Sequence, residues 1–508
     1  MRLPIAKPDC YTVTAMEIEP IIGLEVHAQL LTRSKMYCAC PANYQGQPPN
    51  TSVCPVCMGA PGMLPVINKR AVEYTIMTGL ALNCTISRRT KFDRKNYPYP
   101  DLMKGYQISQ YDNPIAVGGW LEVEVDGRMR RLGITRVHLE EDVAKLTHVR
   151  NEMGETYSLV DVNRAGVPLM EIVSEPDMRS PEEARQYLMK LRTILQYLGV
   201  STGNMEEGSF RCDANISVRP TGSDKLPEAK VEVKNMNSFR SVFLALQYEV
   251  ERQSELLRQG KRVVQETRGW VDGEGITVSQ RTKEYAHDYR YFPEPDLPPV
   301  DISPVWVEEI RSRMPELPDQ RRNRFVEQYG LSVYDASLLT ASRETADFFE
   351  AVVKANGHGD RLQRRAKAAS NWILGDIAHL LNARNLSLAE SSLQPVHVAQ
   401  LVELLENGTI STPLAKKVIE EVFETGKSPI DVVKERGYTQ VTDSGAIEVA
   451  VLQAISENAK AVEDYRKGKE TAAKFLVGQV MRITRGKANP ALVNRLVKEK
   501  LDGLTQAR

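Results

Sequence analysis

No stretch of the 508-residue chain approaches the ~18 uninterrupted apolar residues that a membrane-spanning helix needs. The opening MRLPIAKPDCYTVTAMEIEP has no apolar segment long enough for a secretory signal. Neither membrane insertion nor export has a visible route, and the cytoplasm is the expected compartment. No G-x-x-x-x-G-K-[ST] occurs, which excludes a P-loop kinase. Net charge is zero, with 66 basic against 66 acidic residues, so no uniform field draws the whole chain to nucleic acid. Cysteine is scarce as well. Of seven, Cys10, Cys84 and Cys212 are scattered and odd in number, which argues against a disulfide framework. What remains is a chain too long for a single hydrophobic core, with two to four domains expected.

The other four cysteines lie within twenty residues, CACPANYQGQPPNTSVCPVC. Cys54-Pro-Val-Cys57-Met-Gly59 has the form of a zinc knuckle, in which a glycine at positive φ lets the chain turn back. Cys38-Ala-Cys40 supplies a second pair, with thirteen residues between the two pairs. Four thiolates close a tetrahedral site and leave no position for water, so zinc here is expected to be structural, and a zinc hydrolase is disfavoured. The plainer alternative, four reduced buried thiols, explains the clustering less well.

Hydrophobic periodicity separates the chain into regions. In IIGLEVHAQL, Leu24, Val26, Ala28 and Leu30 alternate with Glu25, His27 and Gln29, predicting a half-buried strand whose polar face carries Glu25 and His27. LEVEVDGRMRRLGITRVHLEED predicts an antiparallel hairpin turning at Asp126-Gly127 and ending in three acids. Alternation there sets Glu140 on the face of His138 and Glu141 on the other, unless the strand ends or bulges. RCDANISVRP alternates most cleanly, with Asp213 on its polar side. Between these strands, Ser180, Pro181 and Glu183 announce a helix with an apolar stripe of Ala184, Leu188, Leu191, Leu195 and Leu198, ended by Gly199.

The fold class expected is α+β: a flexible leader over residues 1–16, an antiparallel-sheet domain over 17–295, a helical domain over 296–394 and a helical tail over 395–508. Met16 is a candidate start. Five prolines in residues 291–304 predict an extended linker, and Pro395 marks the second seam. Residues 466–500 hold ten Lys or Arg against Glu470 and Glu499, a basic stretch suited to phosphate. A solvated helix face would look the same.

Longer motifs carry a resemblance. KFDRKNYPYPD, YQISQYDNPI, LVDVNRAGVPLMEIVSEPD, MEEGSFRCDANISVRP, DYRYFPEPDLPP and FLVGQVMRITRGKANPALVN resemble the GatB family, the B subunits of the aspartyl/glutamyl-tRNA(Asn/Gln) amidotransferases, from about Ile21 to Leu501. The resemblance implies a cradle domain, a helical domain and a tail similar to the YqeY proteins. It implies ATP-dependent phosphorylation of the side-chain carboxylate of Glu-tRNA(Gln) or Asp-tRNA(Asn). The acyl phosphate is then displaced by ammonia from an amidase-type glutaminase partner, in a heterotrimer completed by a small third protein. A carboxylate is a poor electrophile until its oxygen becomes a phosphate leaving group, and phosphoryl transfer from ATP calls for Mg²⁺ and oxygen ligands.

Motif matching puts the Mg²⁺ ligands on His27, Glu141 and Glu171, with Glu140 second to Glu141, and gives Glu25 and Asp213 to a second ion. Glu171 sits in an apolar run, where an ionised carboxylate needs a cation or donor. Lys95 and Lys234 are candidates for phosphate contact or the ammonia path. Arg482, Arg485, Lys487 and Asn489, around Gly486 and before Pro490, are the candidate tRNA contacts. The amidase-type Ser-Ser-Gly-Gly-Ser run is absent, so the glutaminase nucleophile is expected in another chain. The rival from another class is a catalytically silent, zinc-stabilised RNA-binding scaffold.

Overall fold

Period-two alternation and helical stripes build the first of two units, which ends at Leu317, while the second begins at Pro318. The computed structural model describes residues 17–223, 225–282, 288–355, 357, 361–438, 444–484, 488 and 490–506. A nine-stranded sheet organises the first unit. Its strands are β1 (Ile18–Gln29), β2 (Thr85–Ile86), β3 (Ala116–Val125), β4 (Arg128–Glu141), β5 (Pro168–Ser174), β6 (Phe210–Pro220), β7 (Val231–Lys234), β8 (Glu266–Val271) and β9 (Ile276–Thr282). Their spatial order is β9-β8-β7-β6-β1-β5-β4-β3-β2. Every pairing is antiparallel except β7 with β8. The β3–β4 hairpin turns at the expected dipeptide, with Asp126 and Gly127 both at positive φ, as a tight two-residue turn requires.

One face of this sheet is apolar and covered by helices α1 (Lys69–Ala81), α2 (Pro181–Leu198) and α3 (Phe239–Arg258). Leu24, Val26, Val137, Ile172, Cys212 and Ala214 from the strands join Ile76, Leu188, Leu191, Leu195, Val242 and Leu246 from the helices in one buried cluster. The ends of α2 follow from its sequence. Ser180 accepts a hydrogen bond from the Glu183 amide, Pro181 occupies the first turn, and Gly199 adopts φ +67°. Glu183 returns not to the Ser180 amide but one residue further, to that of Arg179 at 2.7 Å. The stripe of α2 buries as read.

The expected boundary at 295 lies inside this unit. Phe292–Pro293 pairs with Asp93–Arg94, Val300–Asp301 pairs with Arg89–Thr90, and Ile302 and Ile310 enter the same core. The segment is not uniformly extended: it turns where the Leu297 amide donates to the Glu294 carbonyl at 3.3 Å, and short strands on either side hold it against the domain. In the second unit, buried residues from Phe325 to Val433 form one cluster running through position 395, and a second cluster extends from Ile447 to Leu501. Pro395 opens a helix at that point without dividing the core. Residues 1–16, including Met16, lie outside the described residues. No helix among the described residues is long and apolar enough to cross a membrane.

Two substitutions test this account of α2. Leu191→Ala should lower the stability of the first unit by about 2–5 kcal/mol through transfer loss and cavity formation. Ser180→Ala should cost only about 1 kcal/mol, the worth of a cap. Denaturant unfolding followed by circular dichroism measures both, and equal losses would contradict the packing described.

Candidate functional site

The opposite face of the sheet is polar at its centre, because antiparallel partners share a face. Glu171 on β5 is register partner to His138 on β4 and to His27 on β1, and His27 is partner to Arg211 on β6. One row therefore crosses four strands as His138, Glu171, His27 and Arg211. Two residues along β4, Glu140 joins from the same face. His27 Nε2 lies 3.5 Å from Glu140 Oε1 and 3.5 Å from Glu171 Oε2, and His138 Nε2 lies 3.3 Å from the same Glu171 oxygen. Ligand-type atoms of His27, Glu140 and Glu171 all fall within 4.8 Å of one another.

The electrostatics of this cluster call for a cation. Burial opposes charge on His27, yet its hydrogen bond to Glu171 and the charges of Glu171 and Glu140 prevail and raise its pKa to about 9. Burial likewise opposes ionisation of Glu171, and the neighbouring His138 and His27 outweigh it, keeping the carboxyl well below its ordinary range. Two buried acids converge here on one imidazole, a donor set that also suits a divalent ion.

The strand runs in unbroken register to its end, with Glu140 opposite Leu169 and Glu141 opposite Pro168, and the only shift in this pairing falls between Val173 and Ser174. Glu141 consequently turns to the other face. There its carboxylate pairs with Lys104 and accepts the Ile108 amide at 3.0 Å. The first-choice residue is not brought to the His27 cluster, whereas the second choice, Glu140, is. Glu25 and Asp213 are register partners one step from the row, but Glu25 receives the Asn215 amide group at 2.8 Å and Asp213 is held by Lys234 at 2.5 Å. Among the described residues they do not join the His27 group.

Lys95 and Lys234 stand on opposite flanks. Burial disfavours charge on Lys95, but Glu140, Tyr291 and Glu171 raise its pKa, and its Nζ sits 5.0 Å from the centre of the Tyr289 ring. Tyr97, Tyr289, Tyr291 and Tyr111 continue in ring contact beside it. Lys234 is raised against its own burial by Asp213 and Glu232. Three participants were not singled out from sequence. His138 is 3% exposed and holds Glu171 through one ring nitrogen. Arg211 and Gln29 both bind buried Asp142, at 3.0 and 2.7 Å, and so tie the end of β4 to β1 and β6. The alternation of IIGLEVHAQL, VHLEED and RCDANISVRP was the signal available for Gln29, His138 and Arg211 respectively.

The four clustered cysteines converge, with their sulfurs within 4.8 Å of one another, and Gly59 takes φ +69° behind them. Hydrogen bonding from Cys38 lowers the pKa of Cys57 to about 4 against the opposing effect of burial. The donor set fits a thiophilic ion such as zinc. In the tail, Arg482 is exposed in the last turn of the helix Thr471–Ile483. Arg485, Lys487 and Asn489 lie outside the described residues.

Glu140→Gln and Glu141→Gln separate the two faces. The first should weaken binding of a Mn²⁺ probe at least tenfold with little loss of stability, since it removes a buried like charge. The second should spare Mn²⁺ binding and cost about 1–3 kcal/mol by leaving half-buried Lys104 without its carboxylate partner. Electron paramagnetic resonance titration and denaturant unfolding measure the two quantities, and the reverse pattern would return Glu141 to the cluster.

Two family models match the chain: the GatB/GatE catalytic domain over residues 20–308 and the GatB domain over residues 347–501. Among similar curated proteins, the aspartyl/glutamyl-tRNA(Asn/Gln) amidotransferase B subunit of Thermomicrobium roseum is 58% identical over 487 residues, covering 96% of this chain and 99% of its own. The protein of the same name from Moorella thermoacetica is 56% identical over 486 residues, covering 96% and 100%. That from Dehalococcoides mccartyi is 54% identical over 489 residues, covering 96% and 99%.

Proposed function

The chain belongs to the GatB family, the B subunits of the aspartyl/glutamyl-tRNA(Asn/Gln) amidotransferases, and we propose that it phosphorylates the side-chain carboxylate of a misacylated tRNA with ATP and amidates the product. The observation that carries this reading is the His27–Glu140–Glu171 cluster, two buried acids and an imidazole on a polar sheet face with Lys95 beside them. Its substrates are Glu-tRNA(Gln), Asp-tRNA(Asn) or both. The reaction is a ligation forming a carbon–nitrogen bond in translation. The working form is a soluble heterotrimer in the cytoplasm, completed by an amidase-type glutaminase and a small third protein.

Glu140, Glu171 and His27 would hold Mg²⁺, which when bound neutralises phosphate charge during transfer from ATP. His138 keeps Glu171 ionised and aimed, and Lys95 offers a cation to the migrating phosphoryl group. The γ-phosphoryl group passes to the substrate carboxylate with release of ADP. Ammonia then attacks the acyl carbon, phosphate leaves, and a proton is lost from nitrogen. Lys234, with Asp213 and Glu25, lies on the flank where a second ion or the incoming ammonia would be handled. The four cysteines would hold structural Zn²⁺, and Arg482 with Arg485, Lys487 and Asn489 would meet the tRNA backbone away from the reacting end.

The complex reconstituted with its two partner proteins, supplied with misacylated tRNA, ATP and ammonium, should form ADP only when that tRNA is present. Glu171→Gln should reduce this ADP formation by about 100-fold or more while tRNA affinity changes less than about threefold. A folded complex that binds tRNA and releases no tRNA-dependent ADP would favour the silent scaffold.

A chain ending at Tyr438 retains the whole cluster from Phe325 to Val433. In the complex it should show a raised KM for tRNA and a shallower dependence of log affinity on log salt, by about 0.7–0.9 per lost phosphate contact. Turnover at saturating tRNA should persist. An unchanged KM and salt slope would leave the tail's basic residues as solvated surface.

A further inference from the structure

Lys35 is fully buried, at 0% exposure, in a chain whose lysines mostly face water. An ammonium removed from water costs several kcal/mol unless an anion or a set of acceptors compensates it. No carboxylate among the described residues pairs with it. Its Nζ instead points to two acceptors: the Val162 carbonyl oxygen at 3.3 Å and Cys57 Sγ at 3.8 Å. The backbone around it is equally committed. The Lys35 amide donates to the Cys40 carbonyl at 2.9 Å, and the Met36 amide donates to the Gly166 carbonyl at 2.6 Å. Gly166 stands at φ +81°, and a Cβ there would come 3.4 Å from Lys35 Cδ and 3.6 Å from Cys57 Cβ. The 162–166 turn and the cysteine loop thus close together around one lysine side chain.

The missing counter-charge is supplied by the cysteines. Four thiolates on a divalent ion leave a net of about two negative charges, which a partly buried loop does not hold without compensation. We propose that Lys35 is the fifth member of the cysteine centre, an outer cation whose N–H···S bond to Cys57 offsets the charge of the thiolate-bound metal and strengthens metal retention. This rests on the zinc reading of the four cysteines. The same side chain couples the centre to the 162–166 turn, where the Gly166 amide donates to the Asp142 carbonyl at the end of β4. Charge balance at the knuckle and placement of the strand that carries Glu140 are thereby joined.

The test uses the full-length chain and two neutral replacements, Lys35→Met, which keeps the length, and Lys35→Gln, which keeps a donor. Zinc is measured by mass spectrometry after equilibration with a competing chelator, and Co²⁺ replaces it for spectroscopy. The wild type should hold one zinc per chain, the Met variant should bind about tenfold more weakly, and the Gln variant should fall between. Thiolate-to-Co²⁺ charge-transfer bands should move to lower energy in the Met variant, since a sulfur relieved of its N–H donor is easier to oxidise. The gain in Tm on adding zinc should shrink as well, which a merely space-filling role would not require.

An affinity change under about threefold with unmoved bands would overturn the proposal. So would failure of both neutral variants to fold with zinc present, because the charge would then serve the fold rather than the metal. A wild-type chain that takes up no zinc under reducing conditions would overturn the zinc reading itself, and is distinguished from the other outcomes by its absence of cobalt–thiolate bands.

Discussion

Charge buried on a sheet has to be arranged by register, since a strand offers its side chains alternately to two faces and a slip of one residue exchanges them. In this protein the register from β6 through β1 and β5 to β4 aligns Arg211, His27, Glu171 and His138 in a single row. The apolar partners on the reverse, from Val26 to Ile172 and Val137, lie under three helices. Helix packing therefore holds the polar row in place. Displacing β4 by one residue would carry Glu140 into the core and Glu141 onto the site, and would bury His138 against apolar neighbours.

The row also limits what its members are able to do. Glu140 and Glu171 are both buried acids within reach of one imidazole, so they repel unless a proton or a metal ion stands between them. A raised His27 and a depressed Glu171 are two expressions of that demand. Asp142, one residue beyond Glu141, resolves its own burial differently, through Arg211 and Gln29. Adjacent acids in VHLEED thus have three separate fates: one faces the cluster, one pairs with Lys104, and one clamps neighbouring strands.

Two cationic lysines meet the same constraint from the other side. Lys104 lies near Glu141 and the rings of Tyr37 and Tyr106, while Lys35 has, among the described residues, a sulfur and a carbonyl. Both sit close to the cysteine loop, which packs behind the strand end and not on the polar face. The cysteines and the acid cluster occupy separate places, so the metal read most readily from sequence is not at the acids read as reactive. The cysteine set and the acid cluster are thus divided between the two faces at the end of one strand.

Local chemistry alone determined much of this. Alternation in β1, β4 and β6, the Asp126-Gly127 turn, and the start and end of α2 are written in residues a few positions apart, because period, caps and turn residues act over that range. The cysteine spacing likewise announced a convergent set. Motif resemblance identified the family, and strand alternation already set Glu140 beside His138 where motif matching preferred Glu141. Tertiary structure alone decided which acid faces His27, because that depends on whether the register continues past Leu139, and register belongs to pairs of strands. It also decided that residues 291–304 belong to the first unit, since proline restricts the backbone without specifying what it packs against. Lys35 had no sequence signal at all: a lysine is ordinarily solvated, and only the closure of two distant loops removes its water and leaves a thiolate as its partner.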